Sequence, residues 1–468
     1  MPAEQQFPDY PRLAVDTVTR QQGNRVLLLS PERGSWCVVD AAGYGLARQC
    51  DGNRHWRSLA MDLASHYDTS LERVLPDVQT YLQQLAGAGL LDKTATAHPD
   101  RVNASQAKSP MQVTLHLTSR CNLHCQHCHK PPAIAATPYP SLKTVCDWID
   151  QCVDAGTTHL DLTGGEPLTH PQWGAIVRYA ASRVAVTVLT NGVLIDEAAA
   201  TILAETGVTV QVSVDGPNAA VHEALRGLGT YAPMRAGISR LQAHGIGSRL
   251  VWSVCLNQHN LTSIRMILEQ ALALGVSQVY LIRVMRQGAA ASHWASLEVS
   301  AAEFTSLLHD LQPWMAAHPG LLRLAGCDGM QALAHRVPGE TGCPLTAERT
   351  ALIDADGAVY PCIQLAAPSF CLGSMTAGGL AAALRSSQMR ELRALAAHRA
   401  AQVDSCRQCM WRRFCGGACP GLAWQQTRDW QGTDDLCALR DSLFTQTIFQ
   451  CVEWKERCAH DACEGEFH

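Results

Sequence analysis

An α/β fold built from parallel βα units is predicted for the middle of this 468-residue chain, and three observations predict it. Between residues 111 and 285, short β-branched runs (VTLHL, HLDLT, AVTVLT, VTVQVSV, SRLVWSVCL, QVYLI) alternate with amphipathic helical stretches. Six strands separated by five helices imply parallel pairing, because parallel neighbours need a crossover connection. The composition, 47% hydrophobic and 17% charged, is that of a folded chain and lacks the signature of disorder. The length exceeds the roughly 100 to 200 residues of one domain, so two to four units share the chain. Six units favour a partial (β/α)6 barrel, left open, over a closed eight-fold one.

Residues 1–95 precede the barrel. RVLLL and WCVVD, separated by the turn-forming PERGS, read as a β-hairpin. Three helical stretches follow. The third carries Leu71, Val74, Leu75, Val78, Leu82 and Leu85 at spacings of three and four, with Thr69 or Ser70 as N-cap and Gly87 beyond its end. Hairpin plus helices resembles a small winged-helix α+β domain. Residues 96–110 fall in the polar, proline-containing TATAHPDRVNASQAKSP, a linker. Residues 286–340 read as helical and bridging, 341–440 as a cysteine-studded domain poor in long regular elements, and 441–468 as a tail.

A net charge of −5 supplies no basic field for nucleic acid or an anionic membrane. No apolar run reaches the length of a membrane span, and the start MPAEQQFPDYPRL is unlike a signal peptide, so the expected location is the cytoplasm. Thiols stay reduced there. The twenty cysteines therefore read as metal ligands or reactive groups; twelve of them crowd between Cys327 and Cys463 and three within Cys121 to Cys128.

Cys121, Cys125 and Cys128 form C-x3-C-x2-C in the loop after the first strand, at the barrel end where functional loops collect. Three thiolates around a four-iron cube leave one iron open to a substrate. A zinc knuckle completed by His124, His127 or His129 is the competing reading.

SRCNLHCQHC after the first strand, with Gly164-Gly165-Glu166-Pro167 after the second, resembles the radical S-adenosylmethionine (AdoMet) superfamily. The resemblance implies a [4Fe-4S] cluster on the three cysteines, AdoMet on its fourth iron, and an external one-electron reductant such as flavodoxin or ferredoxin. Reductive cleavage of AdoMet then yields a 5'-deoxyadenosyl radical that abstracts hydrogen. It also places Gly164 to Pro167 along the methionine part, Ser213 and Asp215 of QVSVDGP near the ribose, and Asn191 of Thr190-Asn191-Gly192 at the third strand's end. His127 departs from the aromatic residue that many members carry there.

The C-terminal pattern runs Cys343, Gly357, Cys362, then Cys406-x2-Cys409-x5-Cys415-x3-Cys419, seventeen residues and Cys437. Two zinc ribbons would also use such spacings. The pattern is similar to the SPASM extension of radical-AdoMet peptide and protein maturases. That resemblance implies two auxiliary clusters, one on Cys406, Cys409, Cys415 and Cys437 and an inner one on Cys343, Cys362 and Cys419, hence three [4Fe-4S] clusters in all. No fourth inner ligand lies between Cys343 and Cys362, so Cys327 or Cys371 supplies it or the site is open to a substrate thiolate. Cys451, Cys458 and Cys463 have no counterpart in the pattern; with His460 they are spare thiols or a further metal site.

The segments VLLLSPERGSWCVVDAAGYGLARQCDG, LAMDLASHY and VQTYLQQLAGAGLL resemble the chaperone domain of pyrroloquinoline quinone biosynthesis, prototype of the RiPP recognition element. That module binds the leader of a ribosomal precursor peptide as an added β-strand. DNA binding is disfavoured because the third helix holds Arg73 alone against Glu72 and Asp77. The expectation is a radical-AdoMet peptide maturase that crosslinks a precursor through a thioether or carbon–carbon bond. A maturase of a folded sulfatase or amine dehydrogenase subunit and an iron–sulfur DNA-binding regulator are the alternatives. No general base is identified.

Overall fold

The protein is described by a computed structural model covering residues 7–92, 111–130, 138–324, 343, 345–346 and 350–460, with side chains to residue 449. All six expected barrel strands form: β4 (Met111–His116), β5 (Thr157–Thr163), β6 (Ala185–Thr190), β7 (Thr209–Ser213), β8 (Leu250–Leu256) and β9 (Gln278–Arg283). Each pairs in parallel with its neighbour. Strand alternation sends Val113, Leu115, Leu160, Leu162, Val188 and Val210 into a core completed by the covering helices, including Val145 and Ile149 of α4 (Leu142–Asp154) and Ile176 and Val177 of α5 (Trp173–Ala181). The opposite face carries half-buried His159, Asp161, Gln211, Ser213 and Ser253. Ser141, Asp196 and Asn218 accept the first free amides of α4, α6 (Glu197–Glu205) and α7 (Ala219–Arg226), as N-cap chemistry requires.

The sheet is wider than the six strands expected. Strand β10 (Leu322–Leu324) pairs with β9, and β11 (Thr350–Ile353) pairs with β4, both in parallel, so eight parallel strands run side by side. An antiparallel ribbon of β12 (Ala358–Tyr360) and β13 (Gly373–Ser374) follows. An open barrel leaves two edges of unpaired amides and carbonyls, and these short strands pair them. They are too short to leave a period in the sequence.

The N-terminal unit holds the expected hairpin, β2 (Arg25–Ser30) and β3 (Ser35–Asp40), and helices α1 (Ala41–Ala47), α2 (Trp56–His66) and α3 (Leu71–Gly87). A third strand, β1 (Val18–Gln22), joins β2 antiparallel; its VTRQQ is almost wholly exposed, so no apolar alternation announced it. Two long helices correct the expectation of an irregular C-terminal part. Ser387–Gln402 is one. The other, Cys437–His460, includes most of the segment read as a tail, because it is buried on two sides: Leu439 and Leu443 pack into the barrel core, and Phe444, Ile448 and Phe449 pack with Trp411 and the N-terminal sheet.

Candidate active site

The loop Leu117–Lys130 leaves β4 and is clasped from three sides. From β5's end, Gly165 N donates to Thr118 O at 2.7 Å and Glu166 N to Arg120 O at 2.8 Å. From α7, Leu225 O accepts from Gln126 N at 2.9 Å, and beyond β9 Ala290 N donates to Cys128 O at 3.4 Å. A Cβ on Gly165 would stand 2.1 Å from Arg120 O, and one on Gly164, whose φ is +140°, 2.3 Å from Thr118 O. The two glycines are required by backbone approach to the cysteine loop, a structural reason for the motif that the sequence alone did not reveal.

Cys121, Cys125 and Cys128 lie close enough for the charge of the others to raise Cys121. Burial pushes the Cys121 thiol up to about 11 and raises Cys125 as well, the latter opposed by Arg226. Such thiols shed their protons to a metal that replaces them.

Glu166 is buried, 1% exposed, and its carboxylate accepts from Thr190 Oγ1 (2.7 Å), Asn191 N (2.8 Å) and Leu168 N (3.2 Å). Burial raises its carboxyl to about 7 against the pull of those donors. The residue therefore braces β5's end to β6's end. Asn191 Nδ2 donates to Asn122 Oδ1 at 2.8 Å and lies 4.0 Å from Cys121 Sγ, beside the first thiol. Pro167 opens a short 3-10 turn and is buried.

Asp215, expected near the ribose, is fully buried with both oxygens engaged: Arg226 Nε at 2.5 Å and Cys255 N at 2.7 Å. It serves as an internal brace between β7 and β8. Burial pushes its carboxyl up, but Arg226, His127 and His222 more than offset this and hold it below the usual carboxylate range. Ser213, two residues earlier, is half-buried on the polar face. His127 reaches the same pair, with Nε2 3.8 Å from Asp215 and 3.4 Å from Arg226 Nη2. Burial lowers His127, His129 and His222 to about 4, 3 and 4, so all three are neutral. Each keeps one buried ring nitrogen without a hydrogen-bond partner.

The C-terminal part reaches this site through Asp354, which follows β11. Its Oδ1 lies 2.9 Å from His116 Nδ1 and 3.2 Å from Lys130 Nζ, tying β4 and the end of the cysteine loop to the cysteine-rich segment. Arg226, His222 and Asp354 were not read from the sequence. HEALR after DGP, with His and Arg four apart on one helix, was the one available signal.

Cys406, Cys409, Cys415 and Cys437 line one cavity of about 170 Å³ with Trp411, Arg440 and Phe444. That is far more than one ion fills and suits an inorganic cluster. Burial raises Cys437 to about 11. Burial likewise raises Cys362, to about 12, and the charges of Cys419 and Cys343 add to it, so the inner three are neighbours too. Gly416, Gly417 and Ala418 turn the chain between Cys415 and Cys419 through three left-handed residues. Arg399, buried, donates to the carbonyls of Gly417 (2.6 Å), Trp430 and Gly432 and so fastens that turn. Cys371 is exposed, with Sγ 3.4 Å from Gly373 O. Cys327 and the side chains of Cys451, Cys458, His460 and Cys463 lie outside the described residues.

Three family models match the chain in turn: coenzyme PQQ synthesis protein D over residues 25–91, the radical SAM superfamily over 115–271, and the SPASM iron-sulfur cluster-binding domain over 343–410. The mycofactocin maturase MftC of Mycobacterium ulcerans is 30% identical over 325 residues, which cover 66% of this chain and 85% of the relative. The antilisterial bacteriocin subtilosin biosynthesis protein AlbA of Bacillus subtilis is 29% identical over 46% of this chain and 50% of its own length. In structure, Streptococcus suis SuiB bound to its precursor peptide SuiA superposes with a TM-score of 0.57 at 12% identity, covering 91% of this chain and 99% of that one. The α/β barrel, the SPASM cysteine array and the N-terminal antiparallel sheet thus all have counterparts, and the chain belongs to the radical SAM superfamily, as an enzyme of its SPASM-bearing branch with a PqqD-like domain at its N-terminus.

Proposed function

We propose that this enzyme modifies a ribosomally synthesised precursor peptide by hydrogen abstraction at an unactivated carbon and oxidative closure of a crosslink. The observation that carries the reading is one chain in which a PqqD-like sheet packs directly against the cysteine array that follows the barrel. The names of MftC and AlbA, a maturase and a bacteriocin biosynthesis protein, support it, as does the precursor peptide bound to SuiB. Deeply acting on a folded partner subunit would leave that sheet without a task, and the lone Arg73 on α3 does not suit DNA.

In this reading Cys121, Cys125 and Cys128 hold the AdoMet-binding [4Fe-4S] cluster. When bound, that cluster with AdoMet supplies the radical that removes hydrogen. Gly164 and Gly165 keep the cysteine loop in register, Glu166 and Asn191 brace the neighbouring strand end, and Arg226 puts a positive charge beside Cys125. Cys406, Cys409, Cys415 and Cys437 hold the outer auxiliary cluster, and Cys343, Cys362 and Cys419 the inner one. Ser213 lies on the polar face toward the ribose. The leader adds a strand to the edge of the N-terminal sheet, which raises the effective concentration of the core peptide at the barrel. A flavodoxin- or ferredoxin-type donor supplies the electron. A thioether is preferred over a carbon–carbon link: no cysteine lies between Cys343 and Cys362, and where neither Cys327 nor Cys371 completes the inner set, its fourth position would be open to a peptide thiolate.

The test is anaerobic reconstitution followed by turnover with the precursor encoded nearest this gene. On the order of twelve irons per chain are expected for three four-iron clusters. Changing Cys121, Cys125 and Cys128 together to Ala should abolish 5'-deoxyadenosine formation and keep the remaining iron. Zinc in place of iron, AdoMet cleavage by the triple variant, or equal modification of leader-free and leader-bearing peptide would each contradict the proposal.

A further inference from the structure

Strand β2, RVLLLS, is buried at nearly every position, which a sheet covered on one face would not allow. Val26 and Leu28, with Val39 of β3, face the helices of the N-terminal unit. Leu27 and Leu29, with Trp36 of β3, face the other way and pack into a cluster with Trp411, Phe414, Phe444, Ile448 and Phe449. Two of those aromatics, Trp411 and Phe444, also line the cavity of the four outer cysteines. One wall of side chains therefore has the N-terminal sheet on one side and the outer cysteine site on the other.

Polar contacts at the rim point the same way. Arg20 of β1 donates to Asp441 Oδ2 at 2.8 Å and to Thr445 Oγ1 at 2.6 Å, and its guanidinium sits 5.9 Å over the Trp411 ring. The other oxygen, Asp441 Oδ1, accepts from Trp411 Nε1 at 2.7 Å. Arg413 Nε donates to Glu32 O at 2.8 Å, and the Glu32 carboxylate lies 3.5 Å from Arg412. Trp411, Arg412 and Arg413 all fall between Cys409 and Cys415. Whatever those cysteines hold fixes the backbone that presents these side chains.

We propose that the outer cysteine site is the seat of the N-terminal domain and that the two are coupled in both directions. The filled site orders the Trp411 platform on which β2 and β3 rest. The docked sheet in turn excludes water from the site and brings the Arg20 cation to it through Asp441 and Trp411. Arg20 is thus a positioning residue for the outer site, and the outer site has a part in substrate delivery besides any part in electron transfer. Charge, hydrogen bonding and exposure near a cluster set its potential, which makes the coupling measurable. The inference rests on the proposal that these four cysteines hold an iron–sulfur cluster.

The experiment uses the full chain, reconstituted with iron and sulfide. In Cys409→Ala, hydrogen exchange of the β2 and β3 amides should rise tenfold or more. Because that variant could also disturb the surrounding fold, Arg20→Met is measured beside it with all clusters present. Losing the cation should lower the midpoint potential of the outer cluster by about 59 mV, a tenfold change in a one-electron equilibrium. Arg20→Lys should restore part of the shift, and the signal that AdoMet perturbs should not move. Unchanged exchange in Cys409→Ala with its outer iron shown absent, or an unmoved potential in Arg20→Met, would overturn the inference alone. Wild-type protein with no iron at the outer cysteines would overturn the functional reading and this inference together.

Discussion

Replacing Gly165 by Ala probes how the cysteine loop is held. The added Cβ would meet Arg120 O at 2.1 Å, whereas real Cβ contacts do not fall below 3.0 Å, so the two segments must part by about 0.9 Å. Both sides of the clash are backbone, and no side chain can swing aside. The separation carries the Glu166 N to Arg120 O bond, now 2.8 Å, past hydrogen-bonding reach and stretches Gly165 N to Thr118 O, now 2.7 Å. Two backbone bonds at about 0.5–1.5 kcal/mol each make the local cost about 1–3 kcal/mol. Cys121 adjoins Arg120 and moves with it. A misplacement of about 1 Å at a reacting centre costs on the order of 10²-fold, so 5'-deoxyadenosine formation should fall by that factor. Iron on the C-terminal cysteines, well separated in the chain, should remain. The assay is single-turnover AdoMet cleavage with dithionite, read against iron content. A Gly165→Ala enzyme that cleaves AdoMet at the wild-type rate would refute the argument that this pair of glycines positions the loop, and equal loss of iron from all sites would show a general folding defect instead.

Glu166 predicts a pH dependence. Its folded carboxyl stands near 7, raised by burial from an ordinary 4.5, so the native state holds the proton more tightly than the unfolded one. Stability from this group is full below about pH 4.5, is lost as the pH rises to about 7, and is level above; at about 1.4 kcal/mol per unit the loss is about 3 kcal/mol. Protection factors of the β5 and β6 amides, taken after dividing out the base-catalysed intrinsic rate, should fall across that window and stay nearly flat in Glu166→Gln; equal profiles of protection against pH would sink the assignment. Cys419→Ala should reduce crosslinking far more than 5'-deoxyadenosine formation, read by mass spectrometry of the peptide, since an electron must leave the product radical before the bond closes. Proportional loss of both would remove the inner site from the closing step.

The sequence determined the six barrel strands, because each is a β-branched run with a covering helix between it and the next, and period and length are local properties. It also determined the candidate cysteines, through spacings that survive in the chain itself, and the N-terminal hairpin, through PERGS between two apolar runs. Tertiary structure alone decided how the edges of the barrel are closed: β10 and β11 are only three and four residues long and acquire meaning only beside β9 and β4. It decided that Asp215 is an internal partner of Arg226, since a carboxylate at a strand end reads the same whether its neighbour is ligand or guanidinium. It likewise decided that Asp354 meets Lys130 and that Arg20 meets Asp441, pairs 224 and 421 residues apart in the chain. Ion pairs and buried faces form wherever folding brings charge and apolar surface together, and no spacing in the sequence encodes a separation of that length; the same holds for Leu27 and Leu29, whose burial against Trp411 exists only because the two ends of the chain meet.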